Sequence, residues 1–150
     1  MAKLFIYYTL SGNGDIVSDY LKEKGVDIRK IETNYKLSKH MFFAMMKGGF
    51  HALIVKKAKL INYNNDISNY DEIIIGSPIW NSRLTPPINT VLKDTDLKDK
   101  KLTFIFYSGG GASKKASKKV NKLYNNPTII NLKQPKKYNE ELKKLGEIYE

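Results

Sequence analysis

The stretch Leu4-Phe5-Ile6-Tyr7-Tyr8-Thr9-Leu10-Ser11-Gly12-Asn13-Gly14-Asp15-Ile16-Val17 passes from a short apolar run, through hydroxyls, glycines and an amide, into helical spacing. Leu4 to Tyr8 is too short for a helix and apolar at nearly every position, which is the pattern of a strand buried on both faces of a parallel sheet. Ile16, Val17, Tyr20 and Leu21 then recur at helical spacing until Gly25 supplies a stop signal. The order is strand, tight loop, helix.

The same alternation returns downstream. A weaker strand is expected from Val26 to Ile31, and further strands at Ile73-Ile74-Ile75 closed by Gly76, at Leu102 to Tyr107 closed by Gly109-Gly110-Gly111, and at Thr128-Ile129-Ile130. Helical candidates lie at 38–57, 86–94, 113–124 and 139–149. Such alternation predicts an α/β fold, a doubly wound parallel sheet with right-handed crossovers. The longest connection, from about Thr33 to Asp71, carries Met41-Phe42-Phe43-Ala44-Met45-Met46 and Phe50, flanking Gly48-Gly49. Two readings stand for it: the second helix of the fold, broken once, or a lid or subunit interface at the ligand-bearing edge.

The chain has 150 residues, enough for one core without disulfides or a structural metal, so a single domain spanning 1–150 is expected. With no Cys there is no disulfide framework, iron–sulfur cluster or thiol nucleophile, and His40 and His51 alone make a zinc site a poor prospect. Redox chemistry would need a borrowed cofactor. No run approaches the ~18 apolar residues of a membrane span, and the first apolar stretch reads as a strand rather than a secretion signal, so the cytoplasm is the expected location.

Lys and Arg number 26 against 15 Asp and Glu, a formal net charge of +11 that can steer association with acidic partners. Biased codon usage accounts for a Lys- and Asn-rich composition equally well. Arg occurs only at Arg29 and Arg83, whereas a duplex reader uses Arg forks on guanine, and no aromatic–basic interleaving marks a strand-binding surface. No specific nucleic acid is expected.

In an open parallel sheet, ligands bind outside the carboxyl ends of the strands where strand order reverses, so the loops after the first, third and fourth strands matter most. The first, Thr9-Leu10-Ser11-Gly12-Asn13-Gly14, runs straight into a helix start, whose unpartnered N–H groups and dipole favour an anion. It lacks the Gly-Lys-Ser/Thr of a Walker loop, and Val17 stands where a dinucleotide turn needs its third glycine. The plainer reading is a capped turn with Ser11 or Asn13 as N-cap. The second loop, Gly76 to Pro87, holds the only Trp, Trp80, which either plugs the core or offers a flat face to a planar ring. The third, Ser108-Gly109-Gly110-Gly111-Ala112-Ser113, has three consecutive glycines, suited to close approach of backbone to the polar edge of a heterocycle.

The first loop resembles the Ser/Thr-x-Thr-Gly-Asn-Thr phosphate loop of flavodoxins. Tyr70-Asp71-Glu72-Ile73-Ile74-Ile75-Gly76-Ser77-Pro78-Ile79-Trp80, with Pro86-Pro87, is similar to the Tyr-Asp-x-Ile-x-x-Gly-Thr-Pro-x-Trp stretch of flavodoxin-like flavoproteins, and Ser108-Gly109-Gly110 resembles their third loop. The resemblance covers nearly the whole chain in order. It implies a flavodoxin-like three-layer α/β/α sandwich, a five-stranded parallel sheet in order 2-1-3-4-5, and a non-covalent FMN site. By the same resemblance Thr9, Ser11, Gly12, Asn13 and Gly14 would hold the phosphate, Pro78, Ile79, Trp80, Asn81 and Ser82 would wall the isoalloxazine ring, and Ser108, Gly109, Gly110 and Gly111 would meet its pyrimidine side.

Three departures stand out. Gly14 replaces the final Thr of the phosphate loop, Asp15 follows it with a charge unwelcome to phosphate if turned inward, and the third loop lacks a covering aromatic residue. Two functions fit: an electron carrier between redox partner proteins, acidic ones included, or an NAD(P)H-dependent reductase of quinones or similar small molecules. In both the cofactor does the chemistry, so no catalytic side chain and no metal ligand is expected. Arg83, Lys114 and Lys115 follow the flavin loops and would favour a reduced, anionic ring; a monomer or homodimer suits either function.

Overall fold

The computed structural model of the protein describes residues 2–34, 58–146 and 149. The expected helix at 38–57 lies outside them. The elements are β1 (Lys3–Tyr7), α1 (Asn13–Glu23), β2 (Asp27–Lys30), β3 (Glu72–Trp80), β4 (Arg83–Leu84), α2 (Pro86–Asp94), β5 (Lys101–Ser108), α3 (Lys114–Leu123), β6 (Thr128–Lys133), then a 3-10 turn (Asn139–Leu142) leading into α4 (Lys143–Gly146). Of the segment expected as one helix at 139–149, residues 139–146 divide into a tight turn and a short α-helix, and residues 147 and 148 lie outside the described ones.

The sheet runs β2-β1-β3-β5-β6, with all four pairings parallel. Counting parallel strands alone, this is the expected order 2-1-3-4-5. The short β4 is an addition: it folds back antiparallel on the end of β3, Trp80 opposite Arg83. Strand order reverses between β1 and β3, which places the crevice at the carboxyl ends of those two strands.

Each central strand feeds both faces of the sheet, which is why its apolar run is continuous. On one face Leu4, Ile6, Ile73, Ile75, Phe104 and Phe106 pack with Ile88 and Val91 of α2 and Val120 of α3. On the other, Phe5, Tyr7, Ile74, Ile105 and Tyr107 pack with Val17 and Leu21 of α1 and Leu145 of α4. The result is helices on both sides of a sheet, in three layers.

Gly76 does not close the third strand. β3 continues through it to Trp80, with every residue from Glu72 to Trp80 buried. The reason for the glycine is packing across the pairing of Tyr7 with Gly76. The rings of Phe5 and Tyr7 stack at 4.9 Å and 4°, and a Cβ on Gly76 would lie 2.6 Å from Phe5 Cζ and 2.9 Å from Tyr7 Cβ. At the amino edge of the sheet, fully buried Glu72 accepts hydrogen bonds on Oε2 from the hydroxyls of Thr103 (3.1 Å) and Tyr149 (2.7 Å), fastening Tyr149 beneath the sheet.

Gly76→Ala therefore overpacks the centre of the molecule and is expected to cost about 1–3 kcal/mol. Urea unfolding followed by circular dichroism should show a lower midpoint at unchanged slope; an unshifted midpoint would mean the aromatic pair yields without cost.

Candidate functional site

The turn between β1 and α1 is closed by Thr9. Its Oγ1 accepts the backbone N–H groups of Gly12 (3.2 Å) and Gly14 (3.0 Å). Gly12 is the N-cap, at φ +95°, so the capping oxygen comes from Thr9 rather than from Ser11 or Asn13. The amides of Asn13 and Asp15 in the first turn have no intrahelical acceptor, and with the dipole they make the helix start electropositive.

Gly14 is buried and has no room for a side chain. A Cβ there would sit 2.5 Å from the Tyr107 hydroxyl and 2.8 Å from both Thr9 Cβ and Tyr7 Cδ2. The Tyr107 hydroxyl in turn donates to the Tyr8 carbonyl, so a phenol fills the space that a threonine would need. Asp15, the other departure, is drawn aside: it accepts from the Tyr7 hydroxyl at 2.7 Å and pairs with Lys30 at 3.0 Å. Burial pushes its carboxyl up, but the hydrogen bonds from Tyr7 and Lys30 and the charges of Lys30 and Lys136 outweigh this and hold it below the usual aspartate range. Burial first, and then the carboxylate of Asp15, push the Tyr7 phenol up, so it stays a donor.

The second loop is a hairpin. Asn81 (φ 52°) and Ser82 (φ 65°) form a two-residue turn, both left-handed, as the twist of the flanking strands requires. Pro78 pairs with Tyr107 at the end of the sheet. Trp80 and Ile79 are only 4% and 6% exposed, and the indole meets the Tyr8 ring edge-on at 6.2 Å and 81°. Trp80 thus supports the hairpin from within the core, and the less buried part of the loop is Asn81-Ser82. Ser82 reaches across to α3: its Oγ accepts the Lys115 amide (3.0 Å) and its carbonyl accepts the Ala116 amide (2.8 Å).

In the third loop Ser108 Oγ accepts the Gly111 amide at 2.8 Å, and Gly111 adopts φ +77°. Gly110 is exposed, with nothing within 4 Å of where a Cβ would be. This loop and the first are joined by a fourth segment that the sequence reading passed over, Gln134 to Tyr138. The Gln134 amide donates to the Ser108 carbonyl (3.1 Å) and its Nε2 to the Gly109 carbonyl (3.1 Å), while the Lys136 amide donates to Asn13 Oδ1 (3.0 Å). Its position could have been anticipated, because it leaves the last parallel strand at the same edge as the other three loops.

The helix starts at this edge differ in what they can offer an anion. α2 opens with Pro86 and Pro87, which have no N–H to give. On α3 the Lys115 and Ala116 amides are taken by Ser82. At the start of α1 the Gly12 and Gly14 amides are taken by Thr9 Oγ1, but those of Asn13 and Asp15 are not, the hydroxyls of Thr9 and Ser11 lie beside them, and the one acidic side chain is engaged elsewhere. Among the described residues no cluster of His, Cys, Asp or Glu could hold a metal ion, and no helix is long and apolar enough to cross a membrane.

The fold and loops define a parallel sheet in 2-1-3-4-5 order with glycine-bearing loops gathered at the carboxyl edge of its switch point. Residues 3–147 match the model of the flavodoxin family, and the chain belongs to that family. A search of curated proteins finds no match. Among solved structures the chain is similar to a protein from Bacteroides eggerthii described as a flavoprotein (18% identity, TM-score 0.67, covering 95% of this chain and 96% of that one). It is also similar to a Lactobacillus acidophilus flavoprotein crystallised with FMN (20%, 0.60, 93% and 97%) and to oxidised flavodoxin 2 from Bacillus cereus (16%, 0.57, 99% and 95%). At these identities the likeness is one of fold.

Restoring the missing hydroxyl by Gly14→Thr is expected to destabilise the protein by about 1–3 kcal/mol through overpacking against Tyr107, Thr9 and Tyr7. Thermal melting measures this directly, and a variant as stable as the parent would show that packing does not dictate the glycine.

Proposed function

We propose that this flavodoxin-family chain binds FMN non-covalently at the carboxyl edge of the sheet and carries electrons between redox partners. The observation that carries the reading is the start of α1, a helix beginning with amides and hydroxyls available to a phosphate and with its aspartate turned away to Tyr7 and Lys30. The donor set suits a phosphomonoester: Thr9 and Ser11 offer hydroxyls and Asn13 its amide, Gly12 and Gly14, whose own amides bond Thr9 Oγ1, let the backbone come close, and Asp15 is drawn away from the loop. The hairpin Pro78 to Ser82 and the loop Ser108 to Gly111 border the ring side, held at fixed separation by Ser82 on α3 and by Gln134. When bound, the flavin supplies one- and two-electron chemistry. The protein positions it, keeps one edge against backbone amides and sets the local field.

That field is positive. Arg83 follows the Asn81-Ser82 turn, and Lys114 and Lys115 open α3, the Lys115 amide bonded to Ser82, so three exposed cationic residues stand next to the second and third loops in the chain. Positive charge there favours a ring that becomes anionic on reduction, and it suits an acidic partner surface. Changing Arg83, Lys114 and Lys115 together to Gln is expected to lower the two-electron potential, read by equilibrium titration against a reference dye. An unchanged potential would remove these residues from the account.

A second reading, an NAD(P)H-dependent reductase of small acceptors, is favoured by the open surroundings of Gly110. One experiment tests both. Purified protein is titrated with FMN while flavin fluorescence is followed, and NADH or NADPH is then added with and without a quinone. Quenching with a stable yellow complex inert to nicotinamides supports the carrier, steady turnover selects the reductase, and failure to quench ends the FMN reading.

A further inference from the structure

Lys136 lies over the phosphate loop although it is more than a hundred residues away in sequence. Its Nζ is 3.4 Å from the Ser11 carbonyl oxygen, and its side chain runs across Gly12, where a Cβ would stand 3.3 Å from Nζ and 3.4 Å from Cδ. Gly12 is required by its left-handed backbone, and a Cβ there would only crowd this lysine's flexible end.

The lysine is delivered by a stiff support. Its own amide is bound to Asn13 Oδ1 at 3.0 Å, on the first residue of α1. Two residues earlier Gln134 is clipped to the Ser108 and Gly109 carbonyls, and its own carbonyl accepts the amides of Lys137 and Tyr138, both at 2.9 Å. Pro135 between them is buried. Side chains of the neighbouring lysines turn elsewhere, with Lys133 and Lys137 each 5.3 Å from the Tyr138 ring centre.

Among the described residues Lys136 makes no ion pair. An ammonium group has three donors, and beyond its one carbonyl contact Lys136 feels the carboxylate of Asp15 only at a distance, that group being paired with Lys30. Lys136 is held beside a helix start whose dipole is also positive, with the nearby Asp15 already paired to Lys30, so a second anion would be welcome there. It also stands where the chain has lost a donor, since Gly14 cannot carry the hydroxyl of the family loop.

We propose that Lys136 is a direct cationic ligand of the cofactor's phosphate and makes the site selective for FMN over unphosphorylated riboflavin. The inference rests on the FMN reading, and it adds a strap from the loop after β6 to the phosphate seat. Charge-assisted contacts to phosphate are stronger than neutral ones and weaken with salt.

Fluorescence-quenching titrations of the parent, Lys136→Gln and Lys136→Arg with FMN and with riboflavin, at low and moderate salt, provide the test. In Lys136→Gln the dissociation constant for FMN is expected to rise about tenfold or more at low salt, as loss of a charged hydrogen bond dictates. Riboflavin affinity should stay within about twofold, and Lys136→Arg should recover most of the FMN affinity. An FMN affinity unchanged in Lys136→Gln, or an equal loss for both flavins, overturns the proposal; the latter would assign Lys136 to loop architecture alone. A parent protein that quenches neither flavin would instead defeat the FMN reading itself, so the two failures are distinguishable.

Discussion

The hydroxyl of Thr9, accepting the amides of Gly12 and Gly14, is the contact on which the functional edge depends. It ends β1, sets Gly12 left-handed and launches α1 across the sheet with its N-terminus at the switch point. Without that closure the Asn13 side chain would not meet Lys136, nor would Gly14 fit under Tyr107. A single side-chain oxygen therefore couples the direction of a helix to the chemistry available at its beginning.

The remaining loops are tied to one another by equally few contacts. Ser82 joins the β3–β4 hairpin to α3, Gln134 joins the third loop to the segment after β6, and Lys136 joins that segment to the first loop. Such cross-links hold loops that have little core of their own, so the carboxyl edge of the sheet is shaped by hydrogen bonds between its loops. Pre-shaping of this kind lowers the ordering entropy that a ligand must offset on binding.

Charge gives this member of the flavodoxin family its individual character. A formal net charge of +11 surrounds a site whose cofactor, when bound, would be an anion, and the local arrangement sorts that charge into distinct tasks. Lys30 neutralises Asp15, Lys136 overlies the loop between β1 and α1, and exposed Arg83, Lys114 and Lys115 adjoin the second and third loops. Lys118 and Lys122 lie farther along the exposed side of α3.

The sequence alone determined the alternation of elements, the parallel sheet and the three glycine-bearing loops. Buried parallel strands must be apolar on both faces, and tight strand-to-helix turns must be glycine-rich, so both leave local marks such as Leu4 to Tyr8 and Ser11 to Gly14. Only the tertiary structure decided that Gly76 lies within β3 beneath the stacked Phe5 and Tyr7, and that Trp80 faces Tyr8 in the core. It likewise decided that Gly14 is enforced by Tyr107 and that Lys136 belongs to the first loop. These facts depend on residues far apart in the chain meeting across strands, and local pattern records what a residue is without recording what will be packed against it.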